Sequence, residues 1–396
     1  MKSVTARTSL QFSWHDARIA PVFRTGVSLH SHTMCSEESL ETVPGYVAGI
    51  PYLGEAVRRQ ETHAQLDKGI PFSFKNAFWT PPLAPRQAMR VEEKQIHRKL
   101  QLAALVSLTD HDDIRAGSLL RVLDRYAKVP ISTEWTIPYE GTFFHLGVHN
   151  LPPSKATSIA SELAAYTAQP TPEALPELLR LLNTYPDVLL VLNHPLWDEK
   201  GIGCDNHSKI LQQLLSRYGD QFHALEMNGL RPWSENREVA AIGTDINLPV
   251  VAGGDRHGRE PNALLNLSRA GSFPEFVQEV RHDRISHMIF MPQYHEPLHL
   301  RMLQAMVDVV RDYPENPAGR KLWSDRIFWR NPVNGETAPV SSIWSQGAPI
   351  PVKCFLAAMR SLEWRGVRLA VRTSLALAGN QASLSKSACA ISAPCQ

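Results

Sequence analysis

Short apolar runs rich in Val, Ile and Leu recur along the chain, and each ends in polar or charged residues. Seven such runs are TGVSLHSH, AALVSLTDHDD, VPISTEWT, FFHLGVHN, DVLLVLNHP, HALEMNG and LPVVAGGDRHG. The pattern is typical of buried strands in a mostly parallel sheet. Helix-like segments with apolar residues at three- and four-residue spacing lie between several runs, for example at 116–128 and 171–185. Strand followed by helix, repeated, predicts an α/β fold, and seven strands favour a barrel.

Two regions interrupt this alternation. Residues 41–100 contain the aromatic and proline-rich piece IPFSFKNAFWTPPLAP. We expect this insertion either to cap the barrel mouth as a lid or to pack on its side. From residue 271 onward no further strand ends in candidate ligands, which predicts a barrel over 20–270, a mainly helical extension over 271–380 and a disordered tail over 381–396.

Composition narrows the class of protein. Lys and Arg total 41 against 39 Asp and Glu, so no strong field of one sign points to nucleic acid or to a membrane surface. The five cysteines are scattered and form no C-x-x-C pair, which argues against a disulfide framework or a thiolate zinc site. No apolar run has the length of a signal peptide core or a membrane span. We therefore expect a cytoplasmic protein.

The ends of the apolar runs carry a set of histidines and carboxylates. Its members are His30, His32, Glu37, His111, Glu134, His145, His194, Asp255 and His257. In parallel α/β folds the carboxyl ends of the strands converge on one face, so we expect these side chains to meet. Imidazole and carboxylate ligands without thiolate suit catalytic zinc, manganese or iron. Because the ligands are too many for one ion, the sequence predicts a polynuclear centre.

The same motifs resemble those of the PHP family, named for polymerase and histidinol phosphatase domains. LHSHTMCSEES resembles the family's opening DLHxHTxxSDG, LTDHDD resembles TDHD, and NHP and GGDRHG resemble HP and GSDxH. Glu134 and His145 match the Glu and His that follow the second motif, and the match runs in order from about residue 26 to residue 262. The resemblance implies a distorted (β/α)7 barrel that hydrolyses phosphate esters.

Carried over to these positions, the resemblance implies a trinuclear site. One ion would be held by His30, His32, Glu134 and Asp255, a second by Glu134, His145 and His194, and a third by Glu37, His111 and His257. We assign catalytic roles to Glu134, Asp255 and His257, and supporting roles beside the ligands to Asp110 and Asp112. Two departures stand out: Glu37 replaces the Asp of relatives, and Ser28 replaces an acidic residue that could accept a hydrogen bond from a ligand imidazole.

We predict hydrolysis of a phosphomonoester, a nucleotide or an oligonucleotide end, with two or three divalent ions that activate water. Arg256, Arg259 and Arg231 are the candidate residues for neutralising phosphate charge. One alternative is an amidohydrolase-type metal hydrolase, which also opens with H-x-H on a barrel strand but usually has a bridging lysine. Another is a non-catalytic metal-binding or regulatory PHP module, and a protein partner stays unidentified.

Overall fold

The computed structural model describes residues 5–14, 22–41, 73–344, 348 and 350–374. The predicted tail at 381–396 lies outside this range, as do residues 42–72 of the predicted insertion. The strands in chain order are β1 (Arg7–Phe12), β2 (Thr25–Ser28), β3 (Glu38–Ser39), β4 (Ala77–Trp79), β5 (Ala103–Val106), β6 (Ile131–Tyr139), β7 (Thr142–Leu151), β8 (Leu189–Asn193), β9 (Ala224–Asn228), β10 (Val250–Gly253), β11 (Leu264–Ser268), β12 (Ile285–Phe290), β13 (Ile327–Arg330) and β14 (Thr337–Pro339).

The helices of the described residues alternate with many of these strands. In chain order they are α1 (Pro85–Leu100), α2 (Arg115–Leu120), α3 (Ala156–Ala168), α4 (Ala174–Asn183), α5 (Cys204–Tyr218), α6 (Trp233–Asp245), α7 (Phe273–Val277), α8 (Leu298–Val310), α9 (Val340–Ile343) and α10 (Ile350–Ser361). None of them combines the length and the hydropathy of a membrane span. The predicted α/β class is confirmed.

The strands form three sheets. The first has the order β1-β12-β11-β2-β5, the second β10-β9-β8-β7-β6 and the third β14-β13-β4-β3. Among the described strands no sheet closes into a barrel, so the predicted (β/α)7 barrel is not seen. Two isolated parallel bridges join the first sheet to the second. Ser31 pairs with Arg256 beyond the ends of β2 and β10, and His111, after β5, pairs with Glu134 inside β6.

The two large sheets are mixed rather than mostly parallel. β6 and β7 pair antiparallel around the turn at Glu140 and Gly141, whose φ angles are 46° and 82°. Both values lie in the left-handed region that a two-residue hairpin turn requires, and Gly adopts that region without strain. The connection leaves no room for a helix, so a parallel crossover cannot form there. β11 is also antiparallel to both of its neighbours.

The segments on both sides of the predicted barrel limits contribute strands. β1 lies before residue 20 and β12 after residue 270, and the two pair in parallel within the first sheet. Among its described residues the extension contains more helix than strand, but it also contributes β12, β13 and β14. β13 pairs with β4, so the extension and the predicted insertion share the third sheet.

Helices pack closely on the sheets because their apolar faces are matched to them. α1 buries Ala88, Met89, Ile96 and Leu100, the four-residue spacing of one helix face. A side chain at Gly26 in β2 would overlap Ile96, so this glycine lets α1 approach the sheet. The largest apolar cluster lies under the second sheet and includes the fully buried Trp135.

Candidate metal centre

The bridge between Ser31 and Arg256 fixes one half of the site. The His32 N–H donates to the Arg256 carbonyl at 2.8 Å, which aligns the chain after β2 with the chain after β10. Side chains on either side of a paired residue point to the same face of extended backbone. The neighbours of the bridged residues are His30 and His32 on one segment and Asp255 and His257 on the other. Their side chains therefore meet, with Asp255 Oδ1 at 3.7 Å from His30 Nε2 and 3.5 Å from His32 Nε2.

The second bridge brings Glu134 to the centre. Glu134 is fully buried, and its N–H donates to the Asp110 carbonyl at 3.1 Å. Its Oε2 lies 2.9 Å from His30 Nε2 and 3.3 Å from His32 Nε2. Its Oε1 lies 3.1 Å from His194 Nε2. One carboxylate thus spans two separate sets of imidazoles.

Within the part of the chain that the structure describes, four overlapping groups of ligand atoms result, and the atoms of each group lie within 4.8 Å of one another. They are His30 with His32 and Asp255, His30 with Glu134 and His194, His111 with Glu134 and His145, and His32 with Glu38, His111 and His257. Eight of the nine predicted ligands belong to these groups. The exception is Glu37.

Glu37 lies outside these groups, so the structure does not bring it together with the other eight predicted ligands. Its carboxylate is 52% exposed and forms an ion pair with Arg330 at 3.1 Å. Glu38 occupies the place instead, with Oε2 at 3.3 Å from His111 Nε2 and 3.4 Å from His257 Nε2. The cause is the pairing of β3 with β4, which places Glu38 opposite Trp79 and turns its side chain inward.

The spacing of these atoms fits metal coordination. His30 Nε2 and His32 Nε2 lie only 3.1 Å apart, and both face the same Glu134 oxygen. Two ligand atoms bound at about 2.1 Å from one zinc ion, at right-angled to tetrahedral geometry, are roughly 3.0–3.4 Å apart. The distances in the cluster fall in or near this range. The donor set, imidazole and carboxylate without thiolate, also suits a catalytic divalent ion.

The carboxylates of the cluster are held in their ionised form. Burial alone would raise the pKa of Glu134, but His30, His111 and His145 outweigh it and keep that pKa well below its usual value. Burial opposes ionisation of Glu38 in the same way, and His111, His257 and His32 reverse the effect on its pKa. A pair of anionic side chains therefore faces the imidazoles from two sides.

A further carboxylate orients the ligands from behind, and the sequence analysis missed it. Glu226 on β9 is 1% exposed, and His30 Nδ1 lies 2.6 Å from its Oε1. The His194 N–H donates to Glu226 Oε2 at 2.9 Å. A bond at Nδ1 leaves Nε2 of the same ring directed at the cluster. Glu226 thus supplies the hydrogen-bond acceptor for His30 that an acidic residue at position 28 would otherwise provide. In the sequence, the sign of this residue was the carboxylate in the apolar run HALEMNG.

Two amides complete this outer layer. Asn228 Nδ2 donates to Glu226 Oε2 and to Asp255 Oδ2, both at 3.1 Å. Asn193 Nδ2 donates to Glu134 Oε1 at 3.0 Å. The arrangement fixes the carboxylates before any ligand arrives, which is the usual role of groups that surround metal ligands.

Asp110 and Asp112 do not belong to the ligand groups and hold the backbone instead. Asp110 accepts from the Thr33 N–H at 2.5 Å and from Thr33 Oγ1 at 2.8 Å, which fixes the turn after His32. Burial raises the pKa of Asp110 to about 7. Asp112 accepts from the Thr136 N–H at 2.8 Å. Both carboxylates therefore hold segments of backbone that carry or adjoin the ligand groups.

The three predicted arginines point elsewhere, contrary to expectation. Arg256 is 2% exposed and donates through Nε to Glu92 at 2.7 Å, away from the cluster. The alternation that turns Asp255 and His257 toward the cluster turns Arg256 to the opposite side.

Arg259 and Arg231 are engaged in other contacts, Arg259 at the surface and Arg231 in a mostly buried position. Arg259 pairs with Glu315 and lies over the Tyr313 ring. Arg231 pairs with Glu235 at 2.9 Å, and its guanidinium lies 4.8 Å from the centre of the Trp197 ring.

Two candidate ligands have positive backbone φ angles, which residues other than glycine rarely adopt. His194 has φ 26° and Asp255 has φ 51°. Such conformations cost on the order of 1–3 kcal/mol and persist where the surroundings enforce them, often at functional sites. Here the enforcing contacts are the Glu226 bond to the His194 N–H and the Asn228 bond to Asp255.

A small pocket opens beside the cluster on the His145 and His194 side. It is lined by Phe143, Phe144, His145, Asn193, His194, Trp197 and Glu199, and its empty volume is about 190 Å³. A second cavity, with an empty volume of about 390 Å³, is lined in part by Asp255 and Arg256. The Trp197 ring contacts His194 with 4.9 Å between ring centres. Glu199 Oε2 lies 3.9 Å from His145 Nδ1.

Comparisons with known proteins give only distant likenesses. No family model matches the chain, and no curated protein matches it. One similar solved structure is a protein from Bifidobacterium adolescentis described as a candidate metal-dependent phosphoesterase, at TM-score 0.32 and 15% identity over 50% of this chain and 91% of that one. Another is PsfC from Pseudomonas syringae, at TM-score 0.38 and 15% identity over 72% and 98% of the two chains.

A third is an amidohydrolase from Chromobacterium violaceum with bound sulfate and no metal, at TM-score 0.30 and 13% identity over 45% of this chain and 83% of that one. TM-scores this low carry no argument about the fold or the activity of this chain. The case for function therefore depends on the geometry of the cluster.

Proposed function

We propose that the protein is a metal-dependent phosphoesterase of the PHP type that binds two or three divalent ions in the cluster around Glu134. The observation that carries the proposal is the position of Glu134, whose two oxygens face different imidazole sets, His30 and His32 on one side and His194 on the other. A carboxylate in this position is suited to bridging two ions. Zinc, manganese and iron all fit the donor set.

The proposal assigns a role to each set of residues in the site. His30, His32, Asp255 and their neighbours in the four groups would hold the ions, and divalent ions so held polarise phosphoryl oxygens and lower the pKa of a coordinated water. Glu226 and Asn228 keep the ligands in place through their hydrogen bonds. The pocket beside His145 would receive the alcohol portion of the ester.

The alternatives have less support among the described residues. An amidohydrolase-type centre usually has a bridging lysine, whereas Glu134 would take the bridging place here. A module without turnover would be expected to have lost ligands. Nine competent side chains are assembled once Glu38 replaces Glu37. We therefore favour a hydrolase that acts on phosphate esters.

The test begins with metal content. The full chain is stripped with a chelator, reloaded with Mn²⁺ or Zn²⁺, analysed for metal per chain and assayed with p-nitrophenyl phosphate. We expect the His194→Ala variant to bind less metal and to lose at least ~100-fold in kcat/KM. The substitution removes a candidate metal ligand from the group that His194 forms with His30 and Glu134. His299→Ala, which removes an exposed imidazole on α8, is the matched control and should behave like the wild type.

Two results would contradict the proposal. One is a reloaded protein that retains no divalent metal, and the other is a metal-loaded protein that hydrolyses no phosphate ester. Equal activity of His194→Ala and the wild type would remove this site from the reaction.

A further inference from the structure

The pocket beside the cluster has an unusual charge for an enzyme that acts on phosphate esters. Among its described lining residues there is no Lys or Arg, and the only carboxylate is Glu199. The nearest candidate cation from the sequence, Arg231, is occupied by Glu235 and by the Trp197 ring. A second anionic group on a substrate would therefore meet a carboxylate here rather than a guanidinium.

The shape of the pocket limits what it can accept. Its empty volume is about 190 Å³, and this figure includes open solvent at the mouth of the pocket. Aromatic side chains form much of the wall. The Phe143 ring lies 5.3 Å from the His145 ring, and the Trp197 ring lies 4.9 Å from the His194 ring. The limited space favours a small group that carries a hydrogen-bond donor over a large ring system.

Glu199 is placed to contact the part of the substrate that is not phosphate. It belongs to the loop between β8 and α5, and its N–H donates to the Trp197 carbonyl at 3.1 Å. Its Oε2 is 3.9 Å from His145 Nδ1, yet Glu199 belongs to none of the four ligand groups. A ligand that reaches past His145 from the cluster therefore comes within reach of this carboxylate.

We propose that Glu199 is a specificity-determining residue that selects phosphate esters of small neutral or cationic alcohols and disfavours esters that carry a second anionic group. This inference rests on the proposed phosphoesterase function. Under this proposal the enzyme prefers phosphate esters whose alcohol bears hydroxyl or amino groups. It disfavours bisphosphorylated nucleotides, oligonucleotide ends and carboxylated metabolites. The physical reason is the interaction of one partly buried carboxylate with the charge of the substrate at short range.

The experiment compares substrates that differ mainly in charge. Metal-loaded wild type is assayed with glycerol 3-phosphate and with 3-phosphoglycerate, which have similar size. We expect kcat/KM to be about tenfold higher for glycerol 3-phosphate, and Glu199→Gln to reduce that ratio toward one by lowering KM for 3-phosphoglycerate. Glu177→Gln removes the same charge from an exposed position on α4 and should leave the ratio unchanged.

A binding measurement gives a readout independent of turnover. Calorimetric titration of the metal-loaded protein with 2-aminoethylphosphonate and with phosphonoacetate should show tighter binding of the amine, and Glu199→Gln should bring the two dissociation constants together. Equal ratios in wild type and Glu199→Gln, or a preference for the anionic compounds, would overturn the inference while leaving phosphoesterase activity in place. Loss of hydrolysis of every ester, including p-nitrophenyl phosphate, would instead refute the proposed function and the inference with it.

Discussion

Glu134 and Glu38, together with Asp255, link the imidazoles of the cluster into one network. Glu134 touches His30 and His32 through one oxygen and His194 through the other. Glu38 reaches His111 and His257 with Oε2. A buried anion is tolerated only when it is paired or bound to metal, so each carboxylate depends on the groups around it. Removing either should therefore alter more than one contact.

Glu38→Gln tests the ligand that sequence spacing missed. The amide keeps the size of the side chain but lacks the charge that binds a cation, so we expect a fall of at least tenfold in the affinity of the most weakly held ion. Titration of the stripped protein with Mn²⁺, followed by metal analysis, measures this. Glu37→Gln is the matched control on the neighbouring residue, where the exposed pair with Arg330 contributes little. Equal metal binding by Glu38→Gln and wild type would show that Glu38 is not a ligand.

The adjacent pair Glu37 and Glu38 shows where sequence reasoning stops. The spacing after His32 predicts a carboxylate near His111 and His257, but two neighbouring glutamates point to opposite faces of extended backbone. Only the register of β3 against β4 decides which one faces inward. β4 also pairs with β13 in the same sheet. Arg330 of β13 is 293 residues from Glu37 in the chain, and the sequence of β13 shows no strand pattern like that of the seven apolar runs.

At the scale of elements, the ends of β9 and β10 form the support for the cluster. Gly253, the last residue of β10, pairs with Asn228 of β9. A side chain at Gly253 would overlap the Glu226 carboxylate, so the glycine is what allows Glu226 to reach His30. The motif GGDRHG thus supplies both ligands and the space that one of their supports needs.

Gly253→Ala is expected to damage the site without removing a ligand. The added methyl group would displace Glu226, which should cost about 1–3 kcal/mol of stability and about tenfold in metal affinity. Urea unfolding and Mn²⁺ titration of the same preparation measure the two effects. Gly219→Ala, where no atom lies within 4 Å of the added methyl, should change stability by less than about 0.5 kcal/mol. Wild-type metal affinity in Gly253→Ala would contradict the role assigned to Glu226.

The pairing of elements was harder to predict than their existence. All seven apolar runs contain strands of the two large sheets, but the expected parallel order failed at β6 and β7. The short connection through Glu140 and Gly141 was a sufficient sign of a hairpin. β12 could not be placed from its own sequence, because it ends without candidate ligands and its partners β1 and β11 are determined by tertiary packing.

At the scale of the whole molecule, the two large sheets meet where their strands end in ligands, and the interior between them is also rich in buried polar groups. His149 on β7 is one that belongs to no ligand group. It is 1% exposed, and its Nδ1 lies 2.8 Å from Ser107 Oγ on the segment after β5. Burial, aided by the charge of His30, lowers the pKa of His149 to about 3. The folded state therefore holds this imidazole neutral across the physiological range.

This depressed pKa predicts a contribution to the pH dependence of stability. Below about pH 6.5 the unfolded chain binds a proton at His149, whereas the folded chain does not bind one until the pH approaches 3. The free energy of unfolding therefore falls as the pH falls from 6.5 toward 3. Between pH 7.5 and pH 5.5 this one group should account for about 1.4 kcal/mol. His149→Gln keeps a hydrogen-bonding side chain that does not titrate, and should lose that part of the pH dependence.

Urea unfolding of wild type and His149→Gln at the two pH values isolates the effect, because contributions from the cluster cancel in the difference between the proteins. His97→Gln, which replaces an exposed histidine on α1, provides the matched control and should follow the wild type. A variant His149→Gln that loses as much stability as the wild type between pH 7.5 and pH 5.5 would mean that His149 accepts its proton in the folded state. The two sheets would then be less tightly closed around this histidine than its burial indicates.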